Sequence, residues 1–312
     1  MLKLGIFGVD KFSEQYINVI KNNNDIELAG IFNYDISKTS LLADKYSICR
    51  YSDIETLINV SDAIISVTDI PSSIDDLFKI LRKSKHLLID KINIYSKFEI
   101  EDLIKLSNEA NVIVQYVNKH RFNNAFIKAQ EFFNKPVYIE NHHILKHYPS
   151  LFLKNFINEF VIYDIDIILS VINSNIKKVQ AFSTTIYSES TDLINVYLEF
   201  DNGSVANITC GTFSLSNVFQ MTVLQKNTQI NIDFINQEVK IIKQKNHSNN
   251  NLEEIILRNN TELNSYLKEQ LIDFSNTIIT NNIPQYNLDN FLNSLIITDI
   301  IKEKIRITSN QI

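Results

Sequence analysis

Residues 2–8 read Leu2-Lys3-Leu4-Gly5-Ile6-Phe7-Gly8, an apolar run closed by glycine. A run of that kind reads as a buried strand ending in a turn. A helix follows over 13–23, with Ser13 as N-cap candidate and Tyr16, Ile17 and Ile20 on one face. Outward from this pair the alternation repeats. Glu27–Phe32 is a strand, Thr39–Tyr46 a helix, and Ser52–Asn59 a short helix in which Ser52 and Glu55 fit a capping box. Strand Ala63–Val67, helix Ser72–Ser84, strand His86–Ile89, helix Lys97–Ala110 and strand Val112–Tyr116 complete the series. Such alternation implies a parallel, doubly wound sheet with right-handed crossovers.

The pattern changes after about residue 120. Phe126–Phe133 and Phe156–Ile172 read as helices and Val137–Ile144 as a strand. Strands are then expected at 178–188, 193–200, 204–213, 218–226, 229–235 and 238–244. Asp201-Asn202-Gly203 is a hairpin turn in which Asn-Gly supplies two positive φ angles. His247–Asn251 reads as a polar loop, and helices over about 262–280 and 288–308 close the chain. The fold class is therefore α/β. A Rossmann-type doubly wound parallel sheet (1–120) precedes a C-terminal α/β domain (121–312) with an open, mostly antiparallel sheet. The last helix is expected to pack back on the first domain.

Composition bounds the function. The chain has 312 residues and a net charge of −6, with 45% hydrophobic and 21% charged residues. That suits two globular domains and excludes a mostly disordered chain. Net negative charge argues against holding nucleic acid by counterion release. No apolar stretch reaches the length that spans a membrane, and the N-terminus has no signal-peptide pattern. A cytoplasmic location is expected. Cys49 and Cys210 stand far apart, which argues against a disulfide framework. Ile and Asn are abundant while Gly numbers 5 and Pro 4. That skew points to an A/T-rich genome, in which glycine positions have been refilled.

The turn after the first strand is where a dinucleotide fold carries G-x-G-x-x-G. Here it reads Gly8-Val9-Asp10-Lys11-Phe12-Ser13, so only the first glycine stands. Asp10 would bring a carboxylate beside a pyrophosphate, and Lys11 could offset part of its charge. The acid that holds the ribose at the end of the second strand is replaced by Asn33, with Asp35 two residues on. On these residues alone a structural strand–turn–helix reads ahead of a working NAD site.

Several stretches nevertheless occur together: KLGIFG (3–8), ELAGIFNYD (27–35), HLLIDKI (86–92), VQYVNKHRFNNAF (114–126), FVIYDIDIILS (160–170) and LEFDNGSVANIT (198–209). In this order the chain resembles the Gfo/Idh/MocA family, the glucose–fructose oxidoreductase and inositol dehydrogenase type of NAD(P)-dependent oxidoreductases. HRFNNAF and YDID look most like members acting on nucleotide-linked N-acetyl sugars. The resemblance implies hydride transfer between a sugar carbon and nicotinamide, with NAD or NADP as cofactor. Asn33 removes the acid that excludes a 2′-phosphate, and no arginine follows it, so the choice of dinucleotide stays open.

By the same resemblance, Lys91 falls on the lysine of the family's Glu-Lys-Pro motif, with Asp90 for the Glu and Ile92 for the Pro. Tyr163 falls on its histidine, and Glu159, four residues earlier, would share a helix face with Tyr163. These three residues form the implied catalytic set. Gly8, Asp10, Ser13, Asn33, Thr68, Asp90 and Lys91 form the implied cofactor set. Asn118, Arg121, His142 and Asp166 are the substrate-side candidates. A homo-oligomer through the C-terminal sheet is implied as well.

Blander readings stand beside these. Lys91 could be an exposed loop lysine, and Tyr163 an aromatic packed between helix and sheet. Arg121 could bind a phosphate or carboxylate as a fork, or form a surface salt bridge. Asp164 and Asp166 lie two apart and share no helix face. One is expected near substrate and the other as a solvated or capping carboxylate. His142, His143 and His147 do not chelate together, because adjacent strand residues face opposite ways, so no metal is expected. No G-x-S-x-G elbow is present. The departures at Asp10, Ser13, Asn33, Ser73, Val117 and Tyr163 support an alternative: a non-catalytic descendant that acts as a binding or assembly protein.

Overall fold

The computed structural model describes residues 1–309 apart from 69, 71–72, 93–94, 147–156, 186–191, 247–248, 259–264 and 283. The chain forms two compact units, residues 1–119 with 264–292 and residues 120–263 with 293–312.

The first unit runs β1 (Leu2–Phe7), α1 (Ser13–Lys21), β2 (Ile26–Phe32), α2 (Ile36–Tyr46), α3 (Ile54–Val60), β3 (Ala63–Ser66), α4 (Ile74–Arg82), β4 (His86–Ile89), α5 (Lys97–Ala110) and β5 (Val114–Tyr116). Its five strands form a parallel sheet in the order β2-β1-β3-β4-β5. The order reverses between β1 and β3, which makes the sheet doubly wound, and the strands are nearly continuous apolar runs because helices cover the sheet. Leu4, Ile6, Ile65 and Leu88 of the sheet pack with Tyr16, Ile17 and Ile20 of α1. The same core takes in Leu267, Leu271 and Phe274 of a later helix, Ser265–Thr280.

The second unit contains α6 (Asn124–Gln130), β6 (Tyr138–Lys146) and α7 (Ile162–Val171). Strands β7 (Ile176–Thr184), β8 (Leu193–Phe200), β9 (Val205–Ser214), β10 (Val218–Gln225), β11 (Thr228–Asp233), β12 (Glu238–Asn246) and β13 (Asn249–Arg258) follow. With β6 they make an eight-stranded sheet ordered β13-β12-β11-β10-β6-β9-β8-β7. All neighbours are antiparallel except β6 and β9. Ile194, Val196 and Leu198 of β8 and Ile230 and Ile232 of β11 pack with Ile165 and Ile168 of α7. The helix Ser265–Thr280 is α8, and α9 spans Leu288–Ser309.

Several sequence expectations need correction. Ser13 is not the cap of α1; the Asp10 carboxylate takes the amides of Phe12 and Ser13. The next helix begins at Ile36, three residues earlier than expected, because Asp35 accepts from the amides of Ser37 and Lys38. The Ser52–Glu55 capping box does not form, since Asp53 takes the Thr56 amide at 2.7 Å. A carboxylate is the stronger acceptor at each of these starts. The hairpin after β8 uses one left-handed residue, Gly203 (φ +82), and not an Asn-Gly pair. Residues 249–251, expected in a loop, open the edge strand β13. The run expected over Phe156–Ile172 begins as a π-helical turn, Ile157–Val161, before α7. Phe156 and His147 lie outside the described residues.

Candidate functional site

In the first unit, the carboxyl ends of β1 and β4 converge on the turn before α1, the edge at which open α/β sheets bind ligands. Gly8 makes the turn possible. Its φ is +99, and a Cβ there would lie 2.7 Å from the Thr68 amide nitrogen. Thr68 is buried, and its hydroxyl accepts from the Ile70 amide at 3.3 Å. Asp10 Oδ1 accepts from the amides of Phe12 at 2.8 Å and Ser13 at 3.1 Å, while Ser13 Oγ accepts from the Asp10 amide at 2.9 Å. The amides that open a helix attract anions, and here the anion is a side chain.

Lys91 follows β4, and its ammonium lies 3.4 Å from Asp10 Oδ2. Beside them stands Asp90, whose carboxyl faces the Tyr16 hydroxyl. Burial pushes the Asp90 carboxyl up to about 7. The Asp10 charge adds to the rise, and the Lys91 ammonium opposes it. Burial, with Asp90 and Asp10 near, also raises the hydroxyls of Tyr16 and Tyr266. The sequence shows Tyr16 only as part of an apolar helix face and gives Tyr266 no distinguishing signal. Asn33 follows β2 and borders a shallow hollow lined also by Phe32, Tyr34, Asp53 and Lys79. Asn118 is buried. The cofactor candidates Gly8, Asp10, Ser13, Asp90 and Lys91 are thus brought together, whereas Asn33 lies at the end of the neighbouring strand.

In the second unit, Arg121 and Asp166 form an ion pair. Nε meets Oδ2 at 2.5 Å and Nη2 meets Oδ1 at 2.5 Å, with both residues buried. The surface salt bridge expected for Arg121 is an interior one. Asp164 is buried too, so neither aspartate of the YDID stretch is solvated. His143 Nδ1 lies 3.1 Å from both Asp164 oxygens, and the Cys210 thiol donates to Oδ2 at 2.9 Å. Burial and the Asp164 charge hold the Cys210 thiol well above its ordinary range. His120 turns its ring edge-on to His143 at 5.4 Å and to Tyr163 at 6.4 Å. The ligating atoms of His120, His143 and Asp164 lie within 4.8 Å of one another. No sequence spacing could show this grouping, because it joins three distant segments.

Tyr163 is half-buried on α7, while Glu159 is exposed on the π-helical turn. The shared face expected from an unbroken α-helix does not carry over, because the turn geometry changes between them. His142 and His143 do point to opposite faces of β6, as their exposure shows, and His142 pairs with Glu140 at 3.1 Å.

A parallel, doubly wound sheet with a glycine turn at the start of its first helix is of Rossmann type. Residues 2–118 match the model of the Gfo/Idh/MocA family, described as an oxidoreductase family with an NAD-binding Rossmann fold. The match covers the first domain and ends before the second unit, and NAD is the cofactor that the family's description names. A UDP-N-acetylglucosamine 3-dehydrogenase from Acidithiobacillus ferrooxidans is 20% identical over 244 residues, 77% of this chain and 76% of that one. The solved structure of that organism's UDP-N-acetylglucosamine 3-dehydrogenase GnnA superimposes with a TM-score of 0.87 at 17% identity, covering 97% of both chains. A dehydrogenase (MviM) from Clostridium difficile gives 0.84 at 17% identity, covering 97% of this chain and 99% of that one. At such identities the likeness is one of fold. Among the described residues no helix is long and apolar enough to cross a membrane.

The turn has the form of a phosphate seat, with the protein's own Asp10 carboxylate lying in it. Gly8 keeps the close approach of β1 to Thr68, and the amides at the start of α1 already hold an anion, the Asp10 carboxylate.

Proposed function

We propose that the protein is an NAD(P)-dependent oxidoreductase acting on an alcohol carbon of a sugar nucleotide. One observation carries the reading. Lys91, at the carboxyl end of β4, holds its ammonium against the turn that opens α1, where the family's cofactor seat falls. The bound dinucleotide supplies the hydride chemistry. Lys91 orients the reacting hydroxyl and stabilises charge that develops on its oxygen. Burial raises the Asp90 carboxyl to about 7, so it carries only part of a negative charge beside that ammonium near neutral pH. Tyr163 takes or returns the hydroxyl proton in place of the family's histidine. The sugar-nucleotide class draws support from the UDP-N-acetylglucosamine relative and from the YDID and HRFNNAF stretches. Asn118 and His142 are proposed as substrate-side contacts, and the open face of the second sheet as the surface of a homo-oligomer.

NADH and NADPH titrations followed by nicotinamide fluorescence test the reading, with a screen of UDP-sugars next. Micromolar to low-millimolar binding and turnover of a UDP-sugar are expected. Turnover should fall by about 10²–10⁴ in Lys91→Ala, the range of a lost acid–base group. Absence of binding at millimolar cofactor would overturn the proposal in favour of a non-catalytic assembly protein.

A further inference from the structure

The amides that a dinucleotide fold offers to a pyrophosphate are engaged by the protein's own side chain. Asp10 Oδ1 accepts from Phe12 N, Ser13 N and the Ser13 hydroxyl, the last at 3.3 Å. Its Oδ2 faces Lys91 at 3.4 Å. α1 is a nine-residue helix with one acid, Glu14, in its first turn. A diphosphate approaching this seat meets the Asp10 charge on the donors it needs, and a second carboxyl, Asp90, beside them.

We infer that Asp10 is a built-in stand-in for the cofactor's diphosphate, and that one exchange both opens the phosphate seat and releases Lys91. The inference rests on the oxidoreductase reading above and adds a consequence to it. While Asp10 occupies the seat, Lys91 is held in an ion pair and is not available to a substrate hydroxyl. Once the side chain leaves, the amides and the ammonium become available together. Apparent cofactor affinity is lowered by the fraction of molecules in the closed state. A bound dinucleotide, favouring the open state, prepares the lysine before substrate arrives. The retained Asp-x-x-Ser arrangement explains why this turn remains ordered without its second and third glycines. The reciprocal bonds between Asp10 and Ser13 supply what a diphosphate would otherwise provide.

The test compares wild type, Asp10→Ala and Asp10→Asn in binding NADH, ADP-ribose and adenosine, by fluorescence and calorimetry. Asn retains a capping oxygen but removes the charge, so it serves if the alanine variant folds poorly. NADH and ADP-ribose should bind Asp10→Ala at least about tenfold tighter than wild type, ~1.4 kcal/mol, with Asp10→Asn between them. Adenosine, which lacks the diphosphate, should bind all three alike. Wild-type binding of NADH that is unchanged or weakened in folded variants would overturn the exchange while leaving the oxidoreductase reading intact. No NADH binding by any of the three would overturn both.

Discussion

Arg121 and Asp166 form a two-pronged ion pair in the interior of the second unit, with side chains 5% and 1% exposed. Ser294 donates to the same carboxylate at 3.4 Å. The pair occupies the two charged groups that the sequence offered most plainly as substrate contacts. The pair ties the segment before α6 to α7. Breaking a buried pair from one side leaves an uncompensated charge and costs about 3–5 kcal/mol. Asp166→Leu should lower urea-unfolding stability by that amount, and Arg121→Lys should not restore the fork. A loss below about 1 kcal/mol would show that the pair does not stabilise the unit.

Cys210 lies in a related knot, donating to Asp164 from a fully buried position, while Cys49 is exposed. Thiol reagents attack the thiolate, and burial beside a carboxylate keeps Cys210 protonated. In the native protein Ellman's reagent should therefore titrate one thiol quickly, and both only in denaturant. Two fast thiols would mean that the knot opens readily.

Two glycines with positive φ separate strain from crowding. At Gly203 (φ +82) an added Cβ meets nothing within 4 Å, whereas at Gly8 (φ +99) it meets the Thr68 backbone at 2.7 Å. Gly203→Ala should cost about 1–2 kcal/mol, the left-handed penalty alone. Gly8→Ala should cost clearly more and weaken NADH binding too, since β1 must part from Thr68. Equal melting losses would place no weight on the close approach.

The alternation of strands and helices was legible because apolar periodicity records which face is buried, and it located every strand of the first sheet. Helix starts were less so. At Asp10, Asp35 and Asp53 a carboxylate took the amides from positions at which serine or threonine had been favoured, or where no cap had been assigned. β13 escaped because its alternation of Leu252, Glu254 and Ile256 outward with Ile255 and Leu257 inward mixes charge and apolar side chains on an edge. Of the site, Lys91 and Asp90 could be named through family resemblance. The role of Asp10 could not, because Asp-x-x-Ser was read as a damaged glycine motif rather than as a cap. The His120, His143 and Asp164 grouping depends on tertiary packing that no spacing encodes.

Asp90 gives the protein a pH dependence whose sign is fixed by its surroundings. Its carboxyl titrates at about 7 in the folded chain against an ordinary 3.8, with burial first and Asp10 second in raising it. Lys91 opposes the rise, and the hydroxyls of Tyr16 and Tyr266 are the remaining titratable neighbours. Between those two pH values the folded state holds a proton that the unfolded chain has lost. The contribution of Asp90 to stability is therefore complete below about pH 4 and falls away as pH rises through about 7. Other groups, such as the half-buried His86 with its lowered pKa, titrate in both wild type and variant and cancel in the difference. Asp90→Asn removes the proton uptake. The difference in unfolding free energy between variant and wild type should shift toward the variant by on the order of 2–4 kcal/mol from pH 4 to pH 8. Urea melts at pH 4, 6 and 8 measure it. A difference that stays flat across that range would place the Asp90 carboxyl near its ordinary value, and the partly neutral neighbour assigned to Lys91 would be lost with it.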